Sequence, residues 1–417
     1  MLLWQPSLPE KYTKMSPAHL AEQIAARRRE LGSDLVILGH HYQQDEVIQH
    51  ADFTGDSFKL SQLAAEQVEK SNAKYVVFCG VHFMAESADI LTPDNVAVIL
   101  PDLSAGCSMA DMAEYDQTQQ AWDEIHEALD ATDGPSVRLI PITYMNSSAA
   151  IKAFVGTHGG AVCTSSNAAR VFEWALAGGE QPKADDEEIK LIFLPDQHLG
   201  RNTAHAAGFV TEVDAARTGA TAETALWDPN EEFGGLDAAT IRQTKIFLWK
   251  GHCSVHRLFR PEHVAEFREY MPQTKILVHP ECMQEVCEQA DFVGSTEFIL
   301  KQIEGSEKGS SWAIGTEVHL VNRLAHEAEK RGVQVQILSG TQCLCTTMYR
   351  IDQPHLLWVL DNLAEGKVVN QVAVHPEAQA QAILALNRML SLTGAGGLPA
   401  DAGTPPITTT AAGAAGS

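Results

Sequence analysis

The sequence predicts an α/β protein made of three repeated βα blocks, each with a mostly parallel sheet covered by helices. Three observations lead there. From residue 35 onward, near-continuous apolar runs alternate with helix-like stretches, as strands buried on both faces of a parallel sheet do. One segment occurs twice, as HHYQQDEVIQHADFTGDS from His40 and as HPECMQEVCEQADFVGST from His279. Aligning the histidines pairs Glu46 with Glu285, Val47 with Val286, Ala51 with Ala290, Asp52 with Asp291, Phe53 with Phe292 and Gly55 with Gly294, seven identities in sixteen positions. Average composition gives roughly one, so this is an internal duplication. The third observation is a glycine-containing loop with a cysteine after the last strand of each block: PDLSAGCSMAD, WKGHCSVH and SGTQCLCTTM.

Residues 1–34 read as a short irregular lead and an amphipathic helix at 17–31. The first block, 35–130, has apolar strands at 35–38, 75–79 and 96–100, with helices at 43–50, 57–68 and 83–91. The second, 131–260, has strands at 137–142, 161–163, 190–194 and 245–249. Its helices fall at 147–155 and 167–177, the latter closed by Gly178-Gly179, a C-terminal stop. Residues 211–236 are acidic and rich in glycine and alanine, and read as an insertion or surface loop. The third block, 261–350, has strands at 275–278, 312–314 and 333–338 and helices at 296–303 and 319–330. Helices at 355–363 and 376–392 make a C-terminal region, 351–393. Residues 394–417, almost without charge or aromatics, read as a disordered tail.

A chain of 417 residues is too long for one ordinary core. Its net charge of −24 disfavours a nucleic-acid or anionic-membrane surface, which needs clustered Lys and Arg. No run reaches the roughly 20 apolar residues of a membrane span. The start MLLWQPSLPEKY has no basic segment leading into an apolar core, so no secretory leader and a cytoplasmic location are expected. Eight cysteines in such a chain suggest reduced thiols or metal ligands.

From the last apolar residue of each block's final strand (Leu100, Trp249, Leu338), Cys107, Cys253 and Cys345 lie seven, four and seven residues on. His40 to Cys107 is 67 residues and His279 to Cys345 is 66, which favours Cys345 over its neighbour Cys343, the alternative ligand. Parallel sheets bind ligands at the carboxyl ends of their strands, so three blocks face to face would bring these loops to one point. Free cysteine is ordinarily a small buried hydrophobe, and Cys79, Cys163, Cys282 and Cys287 read that way. Loops after strands pack poorly, so Cys107, Cys253 and Cys345 read as metal ligands. No CxxC pair exists, which removes the zinc-ribbon and two-cluster ferredoxin patterns. Three thiolates without an obvious fourth point to a cluster with one open metal position, a Lewis acid for a hydroxyl or carbonyl oxygen.

Each block also has a hydroxyl cluster before a helix: Gly55-Asp56-Ser57, Thr164-Ser165-Ser166-Asn167 and Gly294-Ser295-Thr296-Glu297. Simple N-capping is one reading. The other is a set of helix N-termini that take up phosphate and carboxylate. His40 and Tyr42 sit at the same offsets as His279 and Glu281, while Tyr144 and Asn146 follow the matching strand of the second block. A glutamate closed off from water is expected to have a raised pKa and to act as a general base. Asp52 and Asp291 recur with the helix ends and read as structural.

With these residues in place, the chain resembles the quinolinate synthase family, iron–sulfur enzymes of de novo NAD biosynthesis, over about residues 35–392. The likeness rests on GHHYQ, ADFTGDS, FCGVHFMAESADIL, AGCSMAD, TYMNSSA, TSSNA, LPDQHLGRN, KGHCSVH, VHPEC, VGST and the Cys345-x-x-Met348 segment. It implies three homologous αβα domains in pseudo-threefold arrangement around one [4Fe–4S] cluster, with ligands Cys107, Cys253 and Cys345 and the fourth iron left for substrate. The implied reaction condenses iminoaspartate with dihydroxyacetone phosphate, releasing phosphate and water to give quinolinate; an aspartate oxidase would be a pathway neighbour. Glu281 is implied as the acid–base residue, with Tyr42, His279 and Tyr144 beside it in catalysis. His40, Ser57, Ser165, His279 and Thr296 would hold phosphate or carboxylate, with Ser295 in the same binding set. Tyr42, Tyr144 and Asn146 would orient the reacting atoms. A structural metal scaffold is the competing reading; it requires a fourth protein ligand and no role for Glu281. An open-cluster dehydratase with another substrate is a third.

Overall fold

The computed structural model describes residues 5–341 and 343–393. The tail expected at 394–417 lies outside the described residues. The expected fold class holds: three mostly parallel sheets flanked by helices.

The first sheet contains β1 (Leu35–His40), β2 (Phe53–Gly55), β3 (Tyr75–Cys79) and β4 (Ala97–Ile99), in spatial order β2-β1-β3-β4. The second contains β5 (Ser136–Tyr144), β6 (Ala161–Cys163), β7 (Glu187–Leu194), β8 (Thr224–Trp227) and β9 (Ile246–Trp249), ordered β6-β5-β7-β9-β8. The third contains β10 (Lys275–Val278), β11 (Phe292–Val293), β12 (Ser311–Gly315) and β13 (Gln334–Ile337), ordered β11-β10-β12-β13. Setting β8 and the C-terminal strand Gln371–Val372 beside β4 aside, every sheet repeats one order: second strand, first, third, last. β1 is buried along its whole length, as a strand covered on both faces must be.

The duplication extends to single hydrogen bonds. The Asp52 carboxylate accepts the Ile37 N–H (2.8 Å), and Asp291 accepts the Ile276 N–H (2.7 Å), each pinning the crossover back onto its strand. Arg28 pairs with Asp52 and Arg268 with Asp291 (2.9 Å). The structural role expected of both aspartates is what the geometry shows.

Residues 211–236 are folded, not a surface loop. Thr211 and Asp214 form a capping box for the helix Glu212–Thr218, and β8 follows as an edge strand beside β9. Trp227 of β8 is buried, edge-on to Phe247 (5.9 Å between ring centres), which ties the strand down. Its four residues sit among acidic and small ones, so local composition hid it. The helix Tyr115–Asp130 adds to the expected elements; its buried face is narrow, Thr118, Ala121, Ile125, Ala128 and Leu129 at helical spacing among polar residues.

The chain end serves two sheets. The helix Gln353–Ala364 packs against Pro17–Leu31, and Asp361 accepts from Tyr12 (2.8 Å) and Arg27 (2.7 Å). β14 (Gln371–Val372) then adds antiparallel to β4, and Pro376–Thr393 packs on Ala149–Thr157 and β6. Gly156 allows that approach: a Cβ there would lie 2.0 Å from the Gln381 carbonyl oxygen. No helix among the described residues is long and apolar enough to cross a membrane.

Removing either aspartate leaves a strand N–H without its acceptor. Asp52→Ala and Asp291→Ala should each cost about 1–3 kcal/mol of stability in urea titrations. Losses below about 0.5 kcal/mol, the ordinary surface range, would contradict the pinning role.

Candidate active site

The carboxyl ends of the three sheets meet at one cavity. His40 and Tyr42 enter it from the end of β1, Ser57 from the first turn of the helix Ser57–Ser71. Tyr144, Asn146 and Ser165 enter from the ends of β5 and β6. His279, Glu281 and Thr296 come from the third sheet, and Cys107, Cys253 and Cys345 from the loops after β4, β9 and β13. Ser295 does not line it; its hydroxyl accepts the Phe298 N–H (3.4 Å) and caps the helix Thr296–Glu304. Asp56 is the equivalent cap in the first sheet, accepting from Lys59 N–H (2.9 Å). In the third sheet capping and cavity lining fall to adjacent residues, Ser295 and Thr296, whereas Asp56 caps its helix and lines the cavity beside Ser57.

The two repeat histidines are held alike. His40 Nδ1 accepts from the Tyr42 N–H (3.1 Å) and His279 Nδ1 from the Glu281 N–H (3.3 Å), which leaves the proton on Nε2 of each neutral ring. Burial, then His41 and Arg323, hold His40 well below its ordinary range. Burial and neighbouring His256 lower His279 to about 3.

A buried polar chain crosses the cavity. Glu281 Oε2 meets His256 Nδ1 (2.7 Å), and His256 Nε2 meets Thr316 Oγ1 (3.1 Å). Thr316 in turn meets the Tyr42 hydroxyl (3.0 Å), which meets Thr296 Oγ1 (3.1 Å). The His256 ring stacks on His279 at 4.4 Å. Burial alone would raise the Glu281 pKa, but the His256 and His279 rings, with hydrogen bonds from His256 and Tyr144, hold it below its ordinary value. The raised pKa expected for Glu281 is therefore overturned: hydrogen bonds and the neighbouring rings outweigh desolvation. Asp196 is raised instead, by burial and by the Glu281 charge. Burial and Glu281 also raise Tyr42 and Tyr144, so both phenols stay protonated donors.

The three cysteines share one local turn. A 3₁₀ turn begins three residues after each, at Ala110–Met112, His256–Leu258 and Met348–Arg350. The N–H of that third residue, Ala110, His256 or Met348, faces the sulfur and offsets part of the rise that burial imposes on the thiol's pKa. The N–H of the fourth closes the turn on the cysteine carbonyl, at 3.0, 3.1 and 3.1 Å. Asp196 fixes the middle loop by accepting the Cys253 N–H (3.2 Å) while capping the helix Gln197–Ala206. Gly251 permits this, since a Cβ there would lie 2.2 Å from the Pro195 carbonyl oxygen. Cys343 lacks this turn: it is wholly buried, and its Sγ faces the Thr341 carbonyl (3.6 Å).

Two other donor sets exist among the described residues. Cys253, His256 and Glu281 have donor atoms within 4.8 Å of one another, but His256 and Glu281 already bind each other. His205, Asp214 and Glu288 cluster at the surface, where the Gln284 amide nitrogen donates to Asp214 (2.8 Å) and Glu288 (2.7 Å) and lies 3.2 Å from His205 Nδ1. The three thiols have only weak partners, and soft donors suit iron or zinc.

Sequence reasoning missed His256, Thr316 and Asp196. His256 stands in the quoted KGHCSVH and Asp196 in LPDQHLGRN, while Thr316 directly follows β12. Position at a strand's carboxyl end was the available signal for Asp196 and Thr316.

A family model described as "Quinolinate synthetase A protein" matches residues 22–391. A protein of Acidobacterium capsulatum called quinolinate synthase is 51% identical over 385 residues, covering 92% of this chain and 96% of the relative. Proteins with the same description are 52% identical over 375 residues in a Nocardioides species, covering 90% of each chain, and 50% over 378 residues in Streptomyces coelicolor, covering 90% and 89%.

Buried histidines make a pH prediction. Burial first, then Arg201, lower His198 to about 3, whereas an unfolded chain binds that proton near pH ~6.5. Between these values the unfolded state holds a proton the folded state lacks, so stability falls as pH drops, by up to ~1.4 kcal/mol per unit. His198→Gln should flatten the stability–pH slope between pH ~6 and ~4 by about one proton. An unchanged slope in denaturant melts would show that His198 is not held neutral.

Proposed function

The chain belongs to the quinolinate synthase family, and from that premise we propose that it condenses iminoaspartate with dihydroxyacetone phosphate, releasing phosphate and water to form quinolinate for NAD biosynthesis. The observation that carries the reading is the convergence of Cys107, Cys253 and Cys345 on a cavity ringed by anion-binding and proton-handling groups.

A [4Fe–4S] cluster fits these residues. Burial pushes the Cys107 thiol up to about 12 and raises Cys253 and Cys345 too, so the protein alone does not ionise them; a bound cation would. The N–H groups aimed at each sulfur are the kind that stabilise cluster thiolates. When bound, a cluster with three protein ligands would supply one iron as a Lewis acid for a substrate oxygen. The matched strand orders and cysteine turns support a pseudo-threefold arrangement of the three units around that site.

The rest of the chemistry falls to side chains. The first turns at Ser57 and Thr296, and the turn at Ser165 ahead of the helix Ala168–Leu176, offer hydroxyls and backbone N–H groups to phosphate and carboxylates. Nε2–H of His40 and of His279 adds neutral donors to the same anions. Tyr42 and Tyr144, which remain protonated, donate to carbonyl or hydroxyl oxygens, and Asn146 orients them. Glu281 is ionised at rest and poised to accept a proton from a carbon or nitrogen of the intermediate. His256 holds the carboxylate in place at 2.7 Å and offers a route onward through Thr316 to Tyr42. Ser295 acts through its cap, by fixing the turn that presents Thr296. An aspartate oxidase supplying the labile imine is the natural upstream activity.

Anaerobic purification should give a brown protein with about four irons per chain. Cys107→Ala, Cys253→Ala and Cys345→Ala should each lose that iron, whereas Cys343→Ala should keep it. A full cluster in the Cys345 variant, or its loss in the Cys343 variant, would reassign the third ligand.

Glu281→Gln should retain the cluster and lose turnover by about 10²–10⁴-fold. Normal quinolinate formation by this variant would remove Glu281 from the proton transfers.

A further inference from the structure

One buried charge has no place in the chemistry above. Lys152 lies in the helix Ala149–Thr157 and is completely buried. Its ammonium donates to the Ser147 carbonyl, the one oxygen it reaches among the described residues. Buried Lys190 shows what satisfaction looks like: its Nζ donates to Glu188 (3.2 Å), to the Arg242 carbonyl (2.7 Å) and to the Thr244 carbonyl (2.6 Å). Lys152 also stands near the positive end of its helix, where a cation is disfavoured. Desolvating an ammonium with so few partners is costly, and an unbranched apolar side chain of similar length would pack there without that cost.

The surroundings supply the missing anion. The ammonium sits 5.5 Å above the Phe83 ring, and Phe83 lines the same cavity as Cys107. The ionisable groups that favour its charge are Glu86 and, once ionised, Cys107. Glu86 is shared, accepting the Ala149 N–H (2.9 Å) and lying 3.7 Å from His82 Nδ1. Three thiolates around a dicationic iron–sulfur core carry a net negative charge, buried in the same place.

We propose that Lys152 is the internal counter-cation of the thiolate site, a positioning residue whose charge favours the metal-loaded state and raises the reduction potential of the group held there. This rests on the cluster reading above. Lys152 also braces the Tyr144–Ser147 turn through the Ser147 carbonyl, so a purely mechanical role must be separated from the electrostatic one. Burial lowers Lys152 to about 8, opposed by Glu86 and Cys107, so an anionic site beside it keeps the charge in place.

The test uses the full chain in two forms. Cobalt(II) is titrated into the anaerobic apoprotein and followed by its thiolate charge-transfer band. The midpoint potential is measured on the reconstituted protein. Lys152→Met should weaken cobalt binding on the order of tenfold and move the potential to more negative values. Glu86→Gln, which removes an opposing negative charge outside the cavity, should move the potential the other way. Opposite shifts establish the electrostatic role, and Glu86→Gln carries the test alone if Lys152→Met does not fold. Unchanged affinity and potential in a folded Lys152→Met protein, or shifts of the same sign in both variants, would overturn the proposal while leaving the cluster reading intact. A wild-type apoprotein showing no thiolate band, and taking up no cluster, would instead remove the cluster reading itself.

Discussion

Three cysteines from three sheets, each at the start of the same tight turn, have to meet. That constraint organises the molecule. A parallel sheet delivers its loops at the carboxyl ends of its strands, and the shared order of strands puts a cysteine loop after the last one in every sheet. The turn then aims a backbone N–H at each sulfur. Local geometry prepares the thiols for negative charge, while burial resists that charge. A bound cation would resolve that conflict, which is why the proposed metal suits these three turns.

The carboxylate side of the cavity obeys the opposite logic. Glu281 keeps its charge because His256 contacts it at 2.7 Å and His279 stands close by. Asp196, a few side chains away, is pushed toward neutrality by burial and by Glu281. Two carboxylates in one apolar neighbourhood thus divide the roles, one ionised at the cavity and one bracing the Cys253 loop. Environment rather than residue type makes the assignment.

Much of this was legible in the residues. Apolar runs located β1, β3, β5, β10 and β12 because strands buried on both faces leave little choice of side chain. The duplicated segment gave the pairing of His40 with His279 and of Ser57 with Thr296, and the 67- and 66-residue offsets favoured Cys345. What escaped was set by tertiary context. β8 is short and lies among acidic residues, so only the partner Phe247 reveals it. The lowered pKa of Glu281 depends on His256, 25 residues earlier in the chain and on another sheet's loop. Ser295 and Thr296 look interchangeable in a string of letters, yet one hydrogen bond to Phe298 separates cap from cavity.

The central claim is that these sulfurs hold one metal cluster and leave a coordination position for the substrate. An anaerobic crystal structure of the iron-loaded protein with quinolinate bound tests it most directly. The account predicts iron contacts to the sulfurs of Cys107, Cys253 and Cys345, and a quinolinate atom or solvent oxygen on the remaining iron. A fourth protein ligand on that iron, or sulfurs turned away from the metal, would contradict it.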